Sequence, residues 1–381
     1  MFGCRDDQLY NGFITLCNTY AIKIHSTLIS LVINILRQEK EANENEAIEY
    51  DRNGSCFTSS PRDLIKLFDE AFQVVRVKKI KELMLKMLHV YETITHQFQE
   101  GLQKFYDMKR ERYLRMEFCI AQCNNYFLFW QVFQDLINPM LQSGMATDDE
   151  IQGNYNERTI IQKFNSMQEK ILEHITNRIF HTQDEECTEG RALGTLFNQP
   201  FMRLSMQTLL TIILDAFEHL SDLMEEKTRR SAWSKFLDRT VFHYIQSLLT
   251  SSAKIKQQYP TEVIDKIKSD QEHIKDRFVL MMSQRACNLG LEVLDDLTSF
   301  FECSPEFISV PCEKLRRTQG QQFNNKVVKA LMALRTDLER SERKQAIEIC
   351  EEIIRNFKDN PNAGSGKNQG LFAIVEEMEE P

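Results

Sequence analysis

The chain has 381 residues and a formal net charge of −9, from 47 Lys and Arg against 56 Asp and Glu. That length exceeds the roughly 250 to 300 residues at which a single hydrophobic core stops growing, so the chain must divide or elongate. Only 13 Gly and 8 Pro are present, about half of ordinary usage and too few turn formers for a many-stranded fold; the charges alternate in sign as on solvated helix faces, which disfavours a nucleic-acid partner.

Met1 to Tyr10 carries Arg5, Asp6 and Asp7 without an apolar run, unlike a secretory signal, and the sequon Asn53-Gly54-Ser55 then reads as a chance match. The most apolar stretch, Leu28 to Leu36, is too short to cross a bilayer, and Lys23, His25 and Asn34 interrupt the wider window. From Leu9 to about Ala42 the residues Phe13, Leu16, Tyr20, Ile24, Leu28, Leu31 and Ile35 recur at helical spacing and predict one apolar stripe. A polar loop, Asn43 to Ser60, ends in Ser59-Ser60-Pro61, a helix start with Ser as cap and Pro at the first position.

Helix is then predicted to about Phe105, on Leu83, Leu85, Leu88, Ile94 and Phe98, and from about Lys109 to Leu141, on Phe118, Phe127, Trp130, Phe133 and Leu136. Gly101 and Pro139 are the weak points of these two helices. After the polar stretch Ser143 to Asn156, Arg158 to Phe180 is cleanly amphipathic, with Ile161, Phe164, Ile171, Ile175 and Ile179 opposite Lys163, Glu169, Lys170 and Glu173.

The stretch His181 to Pro200 loses the apolar period and gathers Asp184, Glu185, Glu186, Glu189, Gly190 and Gly194, which marks a boundary. Helices follow over Phe201 to Glu226, over Arg229 to about Ser252, and from Pro260 through Met281. Gly290 interrupts the pattern before Leu291 to Phe301, and a connection around Pro305 and Pro311 leads to two last helices, Phe323 to about Leu334 and Ser341 to Phe357. From Lys358 the composition turns to Gly, Pro and Glu, as in a disordered tail. The expected organisation is an N-terminal bundle region over 1–185, a boundary loop over 186–200, a C-terminal bundle over 201–357 and an acidic tail over 358–381. The fold class is all-α: antiparallel helical bundles stacked consecutively into an elongated rod. No repeat of fixed period is visible.

Catalytic patterns are missing from the sequence. Gly364-Ser365-Gly366-Lys367 imitates the end of a phosphate-binding loop, but Pro361 and Asn368 stand where the full pattern needs Gly and Ser or Thr. The ten cysteines, at 4, 17, 56, 119, 123, 187, 287, 303, 312 and 350, read as reduced core residues. Cys119 and Cys123 lie one turn apart, yet no further ligand follows at metal spacing. The pairs His89 with His96 and His174 with His181 read as helix faces. No catalytic, cofactor-binding or metal-binding residue is therefore assigned, and neither a cofactor nor a small-molecule substrate is expected. Four basic clusters remain: Arg76, Lys78, Lys79 and Lys81; Lys109, Arg110, Arg112 and Arg115; Lys227, Arg229 and Arg230; and Lys314, Arg316 and Arg317. Each reads as a solvated face or as a contact for acidic partner helices or anionic lipid.

Three segments carry a family resemblance. They are Phe118-Cys119-Ile120-Ala121-Gln122-Cys123-Asn124-Asn125-Tyr126, a small apolar run meeting paired asparagines; Phe201 to Phe217; and Val327 to Ile349, where an Ala-Leu-x-x-Leu-Arg-x-Asp core precedes an amphipathic helix. Over about residues 60 to 357 the chain resembles the C-terminal half of the exocyst subunit family called Sec-six, also named exocyst complex component three. That resemblance implies a non-enzymatic subunit of the complex that tethers and docks secretory vesicles at the plasma membrane. It implies a cytoplasmic protein, peripheral to that membrane, whose partners are other exocyst subunits and SNARE proteins or their regulators. The family protein opens with a coiled-coil region that has no counterpart here, so the expectation is a fragment or a shortened relative. A paralogue acting on membrane protrusions or the cytoskeleton shares the same architecture, as would another helical scaffold.

Overall fold

The computed structural model describes residues 3–45, 47–108, 114–142, 144–180, 196–197, 199, 201–250 and 260–357, with the side chains of 3–8, 107–108, 130–133, 136, 140 and 260 outside that description. Nearly all described residues are helical. The predicted boundary loop, for the most part, and the predicted tail, with its Gly364 to Lys367 stretch, lie outside the described residues, as do Cys187, His181 and the side chain of Cys4. The fold forms two compact units, one of residues 1–175 with 219–228, the other of residues 176–218 with 229–381.

The first unit opens with α1 (Gly3–Asn45). Its buried stripe is Cys17, Ala21, Leu28, Val32, Ile35, Glu39, Ala42 and Asn43, whereas Leu16 is 67% exposed. The stripe is therefore rotated from the expected one, because α1 turns short side chains such as Cys17 and Ala21 toward the helix it packs on. The expected polar loop after it holds a small antiparallel hairpin, β1 (Glu49–Tyr50) and β2 (Cys56–Phe57), with Tyr50 opposite Cys56. Asp51 closes its turn by accepting from the backbone N–H of Asn53 and of Ser55, both at 2.8 Å, while Gly54 supplies the left-handed φ of 86°. Helix α2 (Ser60–Lys78) then starts with Pro61 in its first turn, as expected, although Ser59 makes no side-chain capping bond.

The helix predicted to run on to Phe105 breaks at Lys79, a left-handed residue at φ 51° whose N–H returns to Val75 O at 2.9 Å. Chain direction changes there, and α3 (Lys81–Met108) packs against both α1 and α2. Gly101 lies inside α3 at a close approach to α1, where a Cβ would overlap Leu36 Cδ1. α4 (Met116–Leu141) likewise continues past Pro139. α5 (Asp148–Gln152) is a short helix in the stretch expected to be irregular; it is closed by a capping box between Thr147 and Glu150 and tied to α3 by a 2.6 Å Lys81–Glu150 ion pair. α6 (Glu157–Phe180) matches its predicted span. A ring ladder, with Phe98 edge-on to Phe129 at 5.2 Å and Phe129 stacked on Phe164 at 5.4 Å, fills the core between α3, α4 and α6.

The second unit contains α7 (Met206–Asp222), α8 (Glu226–Thr250), α9 (Pro260–Phe278) and α10 (Gln284–Glu302) in large part or whole. Its centre is aromatic: Trp233 of α8 meets Phe217 of α7 edge-on at 4.4 Å and Phe278 of α9 at 5.9 Å. Gly290 does not interrupt α10; it is buried where a Cβ would lie 2.6 Å from Leu237 Cδ2 of α8. Pro311 was expected in a connection, but it sits in the first turn of a further helix, α11 (Ser309–Gln319), where proline is tolerated. α12 (Asn325–Leu334) and α13 (Arg340–Asn356) complete the described chain, with Asn324 capping α12 through the N–H groups of Lys326 and Val327.

Gly101→Val is expected to lower unfolding free energy by about 2 kcal/mol through overpacking against Leu36. Leu36→Ala in the same chain should recover part of that loss, measured as a non-additive double-mutant cycle in urea.

Candidate functional site

Residues Phe118 to Tyr126 of α4 are all buried, so this helix has no solvent face over more than two turns. Three of the nine are Gln122, Asn124 and Asn125, and amides with no water to bond must find protein partners. Asn124 Nδ2 donates to Cys56 O at 2.8 Å and to Leu223 O at 2.9 Å, and its Oδ1 accepts from Glu225 N at 2.9 Å. Cys56 N donates to the same Leu223 O at 2.9 Å. One side chain therefore joins the hairpin, α4 and the turn between α7 and α8.

Asn125 forms a reciprocal pair with Thr58: its Nδ2 donates to Thr58 Oγ1 at 2.7 Å, and Thr58 N donates to its Oδ1 at 3.2 Å. Thr58 Oγ1 and Gln122 Nε2 in turn donate to the two carboxylate oxygens of Glu39, which is 2% exposed. Nearby, Asn43 Oδ1 accepts from Arg115 N at 3.1 Å, fixing the start of α4 to the end of α1. Burial pushes the Glu39 carboxyl up to about 7, and Asp63 reinforces this, while the Thr58 and Gln122 donors pull the other way. Gln122 Oε1 is buried with no hydrogen-bond partner, and a half-turn of its amide would let that oxygen accept a hydrogen bond from the O–H of neutral Glu39.

The second unit has its own polar joint in the Val327 to Asp337 block. Arg335 is 3% exposed; its Nη1 donates to Phe300 O at 3.1 Å and to Cys303 O at 3.0 Å, capping the C-terminal carbonyls of α10. Its Nε and Nη2 hold Asp337 in a fork at 2.9 Å each. The conspicuous Leu-Arg-x-Asp pattern is thus a helix clamp. Tyr244 and Lys266 converge on Asp270, at 2.9 and 2.8 Å, and Lys266 also donates to Leu204 O at 2.8 Å, which pins the segment before α7.

The basic clusters separate into different roles. Arg76 pairs with Asp69 at 2.5 Å, and Lys81 with Glu150 as noted above. Lys109, Arg110 and Arg112 lie outside the described residues. Lys227 caps the Phe127 ring at 4.2 Å. Lys314 is exposed, as on a solvated face, whereas neither expected reading fits buried Arg316. Lys314 nonetheless extends its ammonium to the buried carboxylate of Asp296 at 2.5 Å, and Arg316 donates to Gly320 O at 2.6 Å, which ties the end of α11 to the turn that follows it. Cys119 and Cys123 are core residues, and burial pushes the Cys123 thiol well up. Among the described residues, no three His, Cys, Asp or Glu side chains gather as a metal would need. One described helix, α1 from Leu9, has the length and apolar content to cross a bilayer, a property shared by core helices; its stripe packs in the first unit and carries buried Glu39 and Asn43.

The stability of the first unit should decline as pH rises from about 4.5 to about 7, where the unfolded chain releases the Glu39 proton and the folded chain keeps it, and level off above that window. Glu39→Gln should remove up to about 3 kcal/mol of this dependence in urea titrations across pH. Asn124→Asp, isosteric but facing two carbonyls without donors, should cost about 3 kcal/mol at pH 7, measured the same way.

The sequence model of the family described as exocyst complex component Sec6 matches residues 9–340. The solved structure of the C-terminal domain of the exocyst subunit Sec6p superposes with a TM-score of 0.68 at 12% identity, covering 100% of this chain and 98% of that one. The structure of M-Sec superposes with a TM-score of 0.63 at 13% identity, covering 95% of this chain and 58% of that one. At these identities the superpositions show a shared all-helical fold.

Proposed function

The chain belongs to the family of the exocyst complex component Sec6, and from that membership we propose that it docks secretory vesicles at the plasma membrane as a subunit of the exocyst tethering complex. The single observation that carries this reading is the family match over residues 9–340. Its action is binding without catalysis. In support, the buried polar side chains Glu39, Asn124, Asn125 and Arg335 are engaged in joining elements of the fold. Other exocyst subunits are its principal partners, SNARE proteins or their regulators a second class, and anionic lipid a peripheral contact on the cytoplasmic side of the plasma membrane. Several modest helix-to-helix contacts on one stiff scaffold add through multivalency.

A second reading, implied by the same sequence resemblance, is a family member acting as a helical scaffold outside the exocyst. Affinity capture of the tagged chain from its native cells, read by mass spectrometry, separates the two. Remaining exocyst subunits in comparable amounts are expected; SNARE or cytoskeletal proteins recovered without them would establish the second reading in place of the first.

A further inference from the structure

The connection between α9 and α10 reads Val279-Leu280-Met281-Met282, four apolar residues in a row, with Leu280 73% exposed. Nothing in its backbone demands them. Val279 N donates to Lys275 O at 2.9 Å, Met281 N to Phe278 O at 3.0 Å and Met282 N to Phe278 O at 2.9 Å. Ser283 caps α10 by accepting from Ala286 N at 3.3 Å. A turn closed in this way folds equally well with polar residues, so water-facing aliphatics are a cost without a structural return.

Cations surround them. Lys275 and Arg277 stand in the last turn of α9 and Arg285 in the first turn of α10. Against these three stand Glu272 and Asp276, a small local excess of cations on a chain of net charge −9. A flat protein partner would need no aliphatic tip. An anionic bilayer suits both features: aliphatic side chains enter the interface while long cationic side chains reach the headgroups.

We propose that the turn Val279 to Met282, with the cations around it, is a peripheral insertion site for an anionic lipid surface. This locates the lipid contact of the preceding reading and rests on it.

The test is sedimentation of the purified full chain with vesicles of phosphatidylcholine, alone or containing phosphatidylserine. Binding is expected only with phosphatidylserine and should weaken with salt. Leu280→Asp with Met281→Asp should reduce it at least about tenfold, and Arg277→Glu with Arg285→Glu by a similar factor, both with unchanged thermal melts because the sites are exposed. If wild type binds anionic vesicles and the aspartate variant binds equally, the turn is not the site although lipid contact stands. Should wild type fail to bind, lipid contact itself falls, whatever the exocyst capture shows. Self-association of wild type that the aspartate variant abolishes, with no vesicle binding, would reassign the turn to a contact between copies and overturn the proposal.

Discussion

A buried amide that must be satisfied governs the first unit. Asn124 is fully enclosed, and its side chain serves partners 68, 99 and 101 positions away in sequence. Each orphaned buried donor or acceptor would cost roughly 1 to 3 kcal/mol, so the hairpin, α4 and the turn at Leu223 are held in one arrangement by a price on every alternative. The Asn125, Thr58, Gln122 and Glu39 chain extends the same constraint to α1. Hydrophobic burial assembles the helices, but it is non-directional; the amides specify which ends meet.

The second unit solves the same problem with charge. Arg335 neutralises exposed carbonyl ends of α10 and is itself neutralised by Asp337, and Lys266 does likewise between Leu204 and Asp270. These joints explain why a protein with so many charged residues places a few of them deep inside. Their neighbours complete the bonding of each group, which is the condition under which burial of charge is tolerated.

Most helices were legible from apolar periodicity, because a period of 3.6 over twenty residues is a strong signal. The hairpin was not, since strands of two residues are too short to show alternation. Gly101 looked like a weak point and Gly290 like a break, and both are instead close contacts; no local pattern distinguishes a glycine that ends a helix from one that admits a leucine. Pro311 misled for a similar reason, standing in the first turn of a helix rather than in a connection. The motif Phe118 to Tyr126 and the Leu-Arg-x-Asp block were recognised as marks of a family without their physical role being visible. Both roles depend on residues far away in sequence, Cys56 and Leu223 in one case and Phe300 and Cys303 in the other. Three amides in a helix otherwise made of core residues were the readable hint. Glu39 carried no comparable signal, since one acid within a polar run looks solvated.

If one polar joint organises the first unit, hydrogen exchange of the backbone amides will show it. Cys56, Thr58 and Glu225 lie in or beside turns, where exchange is ordinarily fast, yet their N–H groups donate into this joint. The account predicts that these three exchange as slowly as the middle of α4 and open together with it. Exchange at the rate of the Asn53 turn would contradict it, and would mean that apolar packing alone sets the arrangement.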